Sequence, residues 1–596
     1  MKKAHAQIRR SQTVSTWGPG ALLDMPNYSV IMGGLDTWPA LSKLEEIHEP
    51  RLTRKLQMMT GLSFPRLYAP PSQSNHPQEA PIGIGAWRFP EWFVVQEKDL
   101  NTAQLRSRRL VHRNSLQNNK YDGLQVVPTR FVRACPKGHI DDLDWYCFVH
   151  RGNSQCRRPL WLDEKGTSGD LGDLSVRCEC GQKRSLYDAT LIETNPLGTC
   201  FGKRPWLGRD SQEGCTLPSR LLIRTAANAY FSQVLSVLSI PERNSEVDVI
   251  VNALWDDFST VEDISEIKIF RRKPKNADQL APFSDSEIME AIQRLKQGGN
   301  QVERPVKLVE LDALVNAPEG YGEDVPIDPN FHARRLPEHI WRKSGLSKDI
   351  EAVIQLHRLR EVLALTGFTR FEAEVPDING EFETDVERAE LALDPSWFPA
   401  IENKGEGIFI QLKTTSVHEW LGQPSVKKRL EHLILGHNQW LVGRKSQRSF
   451  PGGAYILLHT LSHLLLQSLS LYCGYPSSSI RERIYADSEA QRYGILLYTG
   501  SPDAEGTLGG LVQQARHLES HLRYALRSGA LCSNDPICAQ HNPGESMERR
   551  WLQGAACHGC TLIAETSCEM RNDYLDRALV IPTLAHSDAA FFGNFG

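Results

Sequence analysis

The sequence has no excess of basic residues. Its 68 Lys and Arg stand against 72 Asp and Glu, which gives a formal net charge of −4. A protein that coats nucleic acid through bulk positive charge is therefore not expected, although a local basic face remains compatible with this balance. With 596 residues, 40% of them hydrophobic, the chain is typical of a globular protein of several domains.

Signals for export or membrane insertion are also scarce. The basic N-terminus, Met1 to Arg10, is not followed by an apolar segment, so a secretory signal is not expected. The best membrane candidate is the uncharged stretch Pro451 to Ile480, but its His459, His463 and Gln467 would need polar partners in a bilayer. We predict a buried core helix there and no membrane partner. The protein is expected to be soluble and cytoplasmic, where thiols stay reduced and cysteine clusters usually indicate metal.

A nucleotide-binding motor is missing from the sequence. A P-loop requires Gly-x-x-x-x-Gly-Lys-Ser/Thr, because backbone amides and the lysine must hold the phosphates. The only Gly-Lys pair is Gly202-Lys203, and Arg204 follows it. ATP hydrolysis would have to come from another chain, and the chain is predicted not to be an enzyme.

Composition shifts along the chain predict an α+β, multidomain protein with two structural zinc-binding modules and a helical middle region. The predicted domains are an N-terminal mixed α/β domain at 1–130, a cysteine-rich zinc module at 131–220, a helical middle region with inserts at 221–450, and a C-terminal zinc-binding domain at 451–596. Short apolar runs predict strands at Trp92–Val95 and Gln125–Val127. Apolar periodicity predicts helices at Arg220–Phe231 and Ile350–Leu365.

The 13 cysteines carry the strongest chemical signal. Their number is odd and they are clustered, which argues against a fully paired disulfide framework. The C-terminal cluster consists of Cys532, Cys538, Cys557 and Cys560, spaced so that four thiolates can close a tetrahedral zinc site. Such a site leaves no position for water and is structural. Cys568 lies outside this spacing and is expected to be a buried thiol.

The N-terminal cysteine cluster is less regular. We predict a second four-thiolate zinc site from Cys135, Cys156, Cys178 and Cys180. Other residues stay open as ligands or as packed side chains: His139, Cys147, Cys200 and Cys215.

Basic residues flank this N-terminal cluster and make it a candidate DNA-binding surface. The predicted contacts are Arg130, Arg133, Lys137, Lys203 and Arg204, with Trp145, Trp161 and Trp206 nearby. Basic and aromatic residues on a rigid zinc scaffold suit phosphate contact and base stacking. A solvated basic rim around core tryptophans is an equally good interpretation. Lys2, Lys3, Arg9 and Arg10 form a weaker candidate.

Two histidines in the uncharged stretch have the spacing of a zinc protease. His459 and His463 lie four residues apart, but Thr460 occupies the place of the general-base glutamate. The favoured interpretation is a pair of hydrogen-bonded histidines on a buried helix.

Two weaker patterns suggest phosphate chemistry. Asp377, Glu402 and Lys404 match a loose nuclease pattern, in which two carboxylates would hold Mg²⁺. The turn from Asp503 to Gly510 could present backbone amides to a phosphate, but its glycines do not follow the dinucleotide-binding order. Neither pattern displaces the metal and DNA interpretation.

An ordered series of short motifs resembles the DrmB family, accessory proteins of the DISARM antiphage defence system. The motifs are Trp17-Gly-Pro-Gly20, Gly34-Leu-Asp-Thr-Trp38, Arg130 to His139, Asp142-Leu-Asp-Trp145, Arg204-Pro-Trp-Leu207, Leu359 to Val362, Gly367 to Arg370, Gly405 to Phe409, Leu458 to His463, Arg481 to Tyr485 and Glu505 to Gly510. The C-terminal part resembles the zinc-binding domain of MrfA-type helicases. In those helicases the zinc domain sits on the motor chain, whereas this sequence has no visible motor.

The resemblance implies a non-catalytic partner of DrmA, a helicase-like ATPase. The pair would load onto foreign DNA and move along it during restriction, with other DISARM components as further partners. Two alternatives remain: a metal-dependent nuclease of a defence system, and an assembly scaffold without DNA contact.

Overall fold

The protein was analysed as a computed structural model. It describes residues 7–26, 28–72, 83–96, 105–166, 169–191, 194–240, 247, 250–251, 254–271, 273, 276, 279–281, 283–296, 305–320, 328, 330–374, 376–380, 388–444, 448–499, 510–545 and 550–593. All 13 cysteines lie within these ranges.

The chain folds into two compact units, and each is built from distant segments. The first comprises Met1–Ser236, Val362–Val375 and Phe382–Glu402, and the second comprises Val237–Glu361, Pro376–Glu381 and Asn403–Gly596. Helices and sheets both contribute, which confirms the predicted α+β, multidomain class.

The first unit consists mainly of short antiparallel strands. Its strands are Leu22–Met25, Tyr28–Met32, Arg66–Tyr68, Ala86–Arg88, Trp92–Val95, Leu105–His112, Lys120–Tyr121, Leu124–Pro128, Phe131–Ala134, Ile140–Asp141, Leu160–Lys165, Leu174–Cys178, Lys183–Ser185 and Arg220–Ile223. Its helices are Arg10–Ser15, Pro50–Thr60 and Trp145–His150.

The largest sheet of this unit supports the cysteine-rich region. Its seven strands lie in the order 183–185, 174–178, 160–165, 105–112, 92–95, 124–128 and 120–121. One face is covered by the helix Trp145–His150, whose Trp145 and Phe148 pack in the same core as Leu162 and Val176 of the sheet. The other face carries a second apolar cluster, formed by Phe93, Val95, Val111 and Val126, and a polar region around Trp161. Both strand predictions in this region, at Trp92–Val95 and Gln125–Val127, are confirmed.

The prediction of a helix at Arg220–Phe231 is wrong. Arg220–Ile223 is a strand that pairs with Phe131–Ala134, and Phe231–Leu238 is another strand. Leu222 aligns with Val132 in this pairing, so burial beside a neighbouring strand outweighs the local helical preference.

The second unit combines long strands with most of the helices. Its strands are Phe331–Arg335, Ile480–Asp487 and Arg492–Thr499; Phe231–Leu238, Ile350–Thr369 and Trp397–Leu412 contribute residues to both units. Its helices are Trp255–Phe258, Ile264–Arg271, Asp285–Lys296, Val306–Val315, Glu338–Trp341, Thr414–Gly422, Pro424–Arg444, Gly453–Cys473, Gly510–Gln513 and Leu518–Ala530. The middle region 221–450 is thus only partly helical.

The prediction of a helix at Ile350–Leu365 is also wrong, because this segment lies in the strand Ile350–Thr369. Nearly every side chain of the strand is buried, on both faces of the sheet. A strand covered on both faces reads as a continuous apolar run, and such a run also fits helical periodicity.

The helix Gly453–Cys473, hereafter the central helix, lies in the core of the second unit. It is long and apolar enough to cross a membrane, yet it is largely buried within the protein. Every side chain from Tyr455 to Leu466 is buried, and Gly474 ends the helix with a φ of 69°. The predicted buried core helix is confirmed.

Candidate metal centres and nucleic-acid interface

The four C-terminal cysteines lie together in the second unit. Their sulfur atoms are all within 4.8 Å of one another. The Sγ–Sγ distance is 3.4 Å from Cys532 to Cys557, 3.6 Å from Cys557 to Cys560, and 3.7 Å from Cys538 to Cys560. A tetrahedral zinc with bonds of about 2.3 Å separates its sulfurs by about 3.8 Å, so the spacing fits the ion. None of the 13 cysteines forms a disulfide.

Backbone amides and shared protons favour thiolates at this centre. The Gly559 amide donates to the Cys557 sulfur over 3.3 Å, and the Asn534 amide donates to Cys532 over 3.4 Å. A hydrogen bond from Cys538 lowers the pKa of Cys560 to about 5, while the same bond raises the pKa of Cys538. A bound zinc would replace that shared proton.

The N-terminal cysteines form two groups instead of the predicted one. Cys135 lies with His139, Cys200 and Cys215, whereas Cys156, Cys178 and Cys180 lie with His150. The structure therefore does not bring together the four thiolates expected as one site. His139, Cys200 and Cys215 were open alternatives from the sequence, but His150 was missed. The signal available for it was a histidine placed six residues before Cys156.

In the first group, His139 is oriented as a metal ligand. Its Nε2 is 2.6 Å from a carboxylate oxygen of Glu213, to which it can donate only as an N–H. The Nδ1 lone pair then faces the sulfurs of Cys135 at 3.3 Å and Cys200 at 3.6 Å. A carboxylate behind the histidine is the usual support of a zinc ligand. A hydrogen bond from Cys135 also lowers the pKa of Cys200 to about 4.

In the second group, His150 is oriented in the same sense by a backbone carbonyl. Its Nδ1 donates to the Tyr146 oxygen over 2.8 Å, which leaves Nε2 facing the Cys180 sulfur at 3.3 Å. Cys156 and Cys178 are 3.6 Å apart at their sulfurs. Three thiolates and one imidazole form a ligand set that suits structural zinc.

Three of the five predicted DNA-binding residues form ion pairs, and two of these, Arg133 and Arg204, expose little of their side chains. Arg133 lies 2.9 Å from Asp141, and its side chain is only 7% exposed. Arg204 lies 2.7 Å from Glu213, the carboxylate that also holds His139. These arginines stabilise the zinc-bearing loops.

The other three predicted DNA-binding residues are more accessible. Arg130 is exposed, with its guanidinium carbon 5.1 Å from the Phe131 ring centre. Lys203 is 46% exposed and lies 3.9 Å from Asp141. Lys137 is partly buried. The tryptophans named with them as aromatic neighbours, Trp145 and Trp206, are fully buried core residues.

Trp161 has a different environment, on the polar face of the seven-stranded sheet. Its neighbours across the adjacent strands are Arg109 and Arg177, whose guanidinium carbons lie 5.8 and 5.6 Å from its ring centre. Asp163 accepts a hydrogen bond from Arg177 over 3.0 Å and lies 3.5 Å from Lys183. We call this set the tryptophan face: Arg109, Trp161, Asp163, Arg177 and Lys183. Two of its three cations, Arg177 and Lys183, contact the Asp163 carboxylate, and only Trp161 of this set was predicted from the sequence.

The weaker sequence patterns do not converge on a catalytic site. Asp377 accepts a hydrogen bond from the Asn379 amide over 2.9 Å, as the first residue of a turn. None of the four groups of metal-binding side chains found in the described residues includes Asp377 or Glu402. The phosphate-binding turn falls on 503–509, outside the described residues. His459 and His463 are buried and hydrogen-bonded, as the favoured interpretation stated.

Comparison with known proteins locates two family domains in the chain. Residues 461–561 match the MrfA Zn-binding domain, which contains all four C-terminal cysteines and confirms structural zinc as the cofactor. Residues 9–231 match a domain of unknown function, DUF8724, which spans both N-terminal groups.

A curated relative extends over most of the chain. It is the DISARM protein DrmB of Bacillus paralicheniformis, 32% identical over 480 residues, which cover 78% of this chain and 82% of the relative. A solved structure of the DUF1998 helicase MrfA bound to DNA is 13% identical, with a TM-score of 0.17. That match covers 37% of this chain and only 23% of the helicase, and it supports no inference.

Proposed function

This chain belongs to the DrmB family of DISARM proteins, and we propose that it is a non-catalytic, DNA-binding partner of a DrmA-like helicase ATPase in antiphage restriction. The complex would engage foreign DNA in the cytoplasm and help translocation along it, with other DISARM components as further partners. The motor would supply ATP turnover, because this sequence has no P-loop.

The tryptophan face is the observation that carries the DNA-binding part of the proposal. Arg109, Arg177 and Lys183 surround a partly exposed tryptophan on a rigid sheet, where Asp163 is the one carboxylate of the set. Guanidinium and ammonium groups bind phosphates, and an indole ring offers a stacking surface to bases. Arg130, Lys137 and Lys203 are proposed as additional phosphate contacts.

The metal groups would act as supports for these surfaces. We propose three structural zinc ions, because three groups of four ligands have zinc-like composition and spacing. Two lie within the predicted module at 131–220, and the third lies within the predicted domain at 451–596. Zinc would supply only cross-links there, since four protein ligands leave no site for water.

DNA binding is tested by neutralising the tryptophan face. We expect the double variant Arg109→Gln, Lys183→Gln to weaken binding of the full chain to duplex or single-stranded DNA by at least tenfold in a filter or fluorescence assay. The matched control is Arg209→Gln, which removes an arginine that is 69% exposed. Equal loss in both variants would rule out the tryptophan face as the DNA-binding surface, and no DNA binding by the native chain would favour the assembly scaffold.

The motor partnership is tested by co-expression with a DrmA-like ATPase. We expect a stable complex whose DNA-stimulated ATP hydrolysis exceeds that of the motor alone and falls in the double variant. Mg²⁺-dependent DNA cleavage by the chain alone, lost in Glu402→Ala, would instead establish the nuclease alternative.

A further inference from the structure

The central helix carries a fourth group of metal-binding side chains that no family description assigns. His459 and His463 lie one turn apart on this helix, and Glu482 and Cys568 complete the group. One Glu482 oxygen, Oε1, is 3.0 Å from His459 Nε2 and 3.2 Å from His463 Nε2. The Cys568 sulfur is 3.1 Å from His459 Nε2. All four residues are buried.

The hydrogen bonds of the two imidazole rings fix which nitrogens carry hydrogen. His459 Nδ1 lies 3.3 Å from the Tyr574 carbonyl oxygen, and His463 Nδ1 lies 2.8 Å from the Thr561 carbonyl oxygen. A carbonyl oxygen only accepts, so each Nδ1 must be the donor. Each neutral ring then presents its Nε2 lone pair to the carboxylate of Glu482. Lone pairs facing a carboxylate repel it unless a proton or a cation lies between them.

The surroundings of Glu482 and Cys568 also suit ligand anions. The Ser462 hydroxyl donates to Glu482 Oε2, the oxygen that does not face the histidines. The Asn572 amide donates to the Cys568 sulfur over 3.1 Å. Metal ligands are typically supported by hydrogen bonds of this kind. Here the Ser462 hydroxyl supports the Glu482 carboxylate, and the Asn572 amide supports the Cys568 sulfur.

Charge balance favours one divalent cation over protons. Without metal, protons would have to fill two gaps, one between the Cys568 sulfur and His459 Nε2 and one between His463 Nε2 and Glu482 Oε1, and the second gap would hold a buried imidazolium–carboxylate pair. Isolated charges are costly in a buried site. A divalent ion with two neutral imidazoles, one thiolate and one carboxylate has no net charge. The three short donor–donor distances, 3.0, 3.2 and 3.1 Å, lie just below the roughly 3.3–3.6 Å that bonds of about 2.0–2.3 Å would set, and all four donors are within 4.8 Å of one another.

We propose that His459, His463, Glu482 and Cys568 bind a buried divalent metal ion of the zinc class, separate from the cysteine-rich centres. Four protein ligands close its coordination, so the ion is structural. It joins the central helix to the strand Ile480–Asp487 and to the loop around Cys568. It also lies next to the C-terminal cysteine centre, because Thr561, whose carbonyl holds His463, directly follows the ligand Cys560.

The test is the metal content of the full chain, measured by elemental analysis and by native mass spectrometry after removal of loosely bound ions. We expect Cys568→Ala to lower the content by one ion per chain. Cys473→Ala is the matched control, because that cysteine lies at the end of the same helix and belongs to no metal-binding group in the described residues. A folded Cys568→Ala variant with unchanged metal content would overturn the proposal.

Cobalt substitution provides a second measurement, which reads the ligands of the site directly. The visible spectrum of the native chain loaded with Co²⁺ should include the absorption of an ion with a single thiolate ligand. Cys557→Ser should leave that contribution in place, and His463→Gln should remove it. Cys557→Ser reports on the C-terminal cysteine centre and His463→Gln reports on the fourth group. An empty cysteine centre can therefore be distinguished from an empty fourth group. A Co²⁺ spectrum unaffected by His463→Gln contradicts the proposal.

Discussion

Arg370 shows how single residues hold the first unit together. Its side chain is fully buried and donates three hydrogen bonds to backbone carbonyls from separate segments. Nε reaches Gly138 over 2.8 Å, Nη1 reaches Ala229 over 2.5 Å, and Nη2 reaches Gly20 over 2.8 Å. Gly138 precedes the ligand His139, so the arginine anchors a metal-binding turn. Burial lowers the pKa of Arg370 to about 10, which still leaves it charged at neutral pH.

We predict that Arg370→Lys destabilises the protein by about 3 kcal/mol or more. A lysine cannot reproduce the planar fork, so at least two buried carbonyls would lose their donors, at about 1–3 kcal/mol each. Urea unfolding followed by fluorescence measures the effect. Arg358→Lys is the control, because Arg358 is exposed on the same strand, Ile350–Thr369. Similar midpoints for both variants would contradict this role of Arg370.

The ligands illustrate what sequence allows at the residue scale. For Cys532, Cys538, Cys557 and Cys560, the spacing along the chain was sufficient to predict that they lie together, because two close pairs supply the site. It was insufficient for the N-terminal groups, because one group lies in sequence between the two halves of the other. Cys135 joins Cys200, and the ligands of the other group come between them. Only strand pairing decides which cysteines meet, and spacing does not contain that information.

At the scale of elements, His521 joins two helices of the second unit. It lies on the helix Leu518–Ala530, where Nδ1 accepts from the Ser468 hydroxyl of the central helix over 3.0 Å. Nε2 then donates to the Gln514 side-chain oxygen over 3.0 Å. Burial lowers the pKa of His521 to about 4. Both nitrogens are satisfied only in the neutral ring.

We predict that this contact weakens on acidification. The folded pKa lies below the ordinary value of 6.5, so the contribution is complete above pH 6.5 and is lost as the pH falls towards about 4. Between pH of about 7.5 and 5.5 the native chain should lose about 1.4 kcal/mol more stability than His521→Gln. Chemical unfolding at both pH values measures this difference. The control variant is His339→Gln, which removes a histidine at an exposed position.

Two glycines on the helix Pro424–Arg444 permit a matched test of packing. A Cβ at Gly436 would lie 2.3 Å from the Trp551 carbonyl oxygen, whereas a Cβ at Gly443 would meet nothing closer than 3.7 Å. We predict that Gly436→Ala lowers the thermal midpoint by several degrees through this clash. Gly443→Ala should hold or raise it, since alanine favours a helix by about 1 kcal/mol. Calorimetry compares the two, and equal midpoints would refute a close packing at Gly436.

The elements differ in how far their sequences specify them. The central helix is recognisable because it has 21 residues, a length that suits a buried helix better than a strand. In the strand Ile350–Thr369 the apolar side chains are so frequent that they also fit a helical period, and the periodicity therefore predicted a helix wrongly. Its extended form depends on pairing with other strands such as Phe331–Arg335. A local sequence pattern does not show whether such a partner is present.

Charge is the informative property at the scale of the whole molecule. With a net charge of −4, any attraction to DNA must come from a local surface. The tryptophan face offers three cations, so we predict a slope of about −2.7 for the logarithm of the DNA binding constant against the logarithm of salt concentration. That slope corresponds to a loss of about 40-fold between 50 and 200 mM salt.

Titration of the full chain with labelled duplex DNA over this salt range measures the slope. A value twice as steep would indicate that the additional proposed contacts, Arg130, Lys137 and Lys203, also bind phosphates. A value near zero would mean that phosphates are not contacted.

One N-terminal metal group lies in sequence between the two halves of the other, and this order affects how the nascent chain on the ribosome can bind zinc. Translation makes Cys135 and His139 first, then His150, Cys156, Cys178 and Cys180, and only afterwards Cys200 and Cys215. Until then, His139 is the only other ligand of its own group that Cys135 can reach, whereas the three thiols of the second group have already been made. A zinc ion that arrives at this stage can be captured by the wrong four sulfurs, Cys135 among them. Correct assembly thus requires either that zinc exchanges until Cys215 has emerged, or that the strands pair before the metal binds.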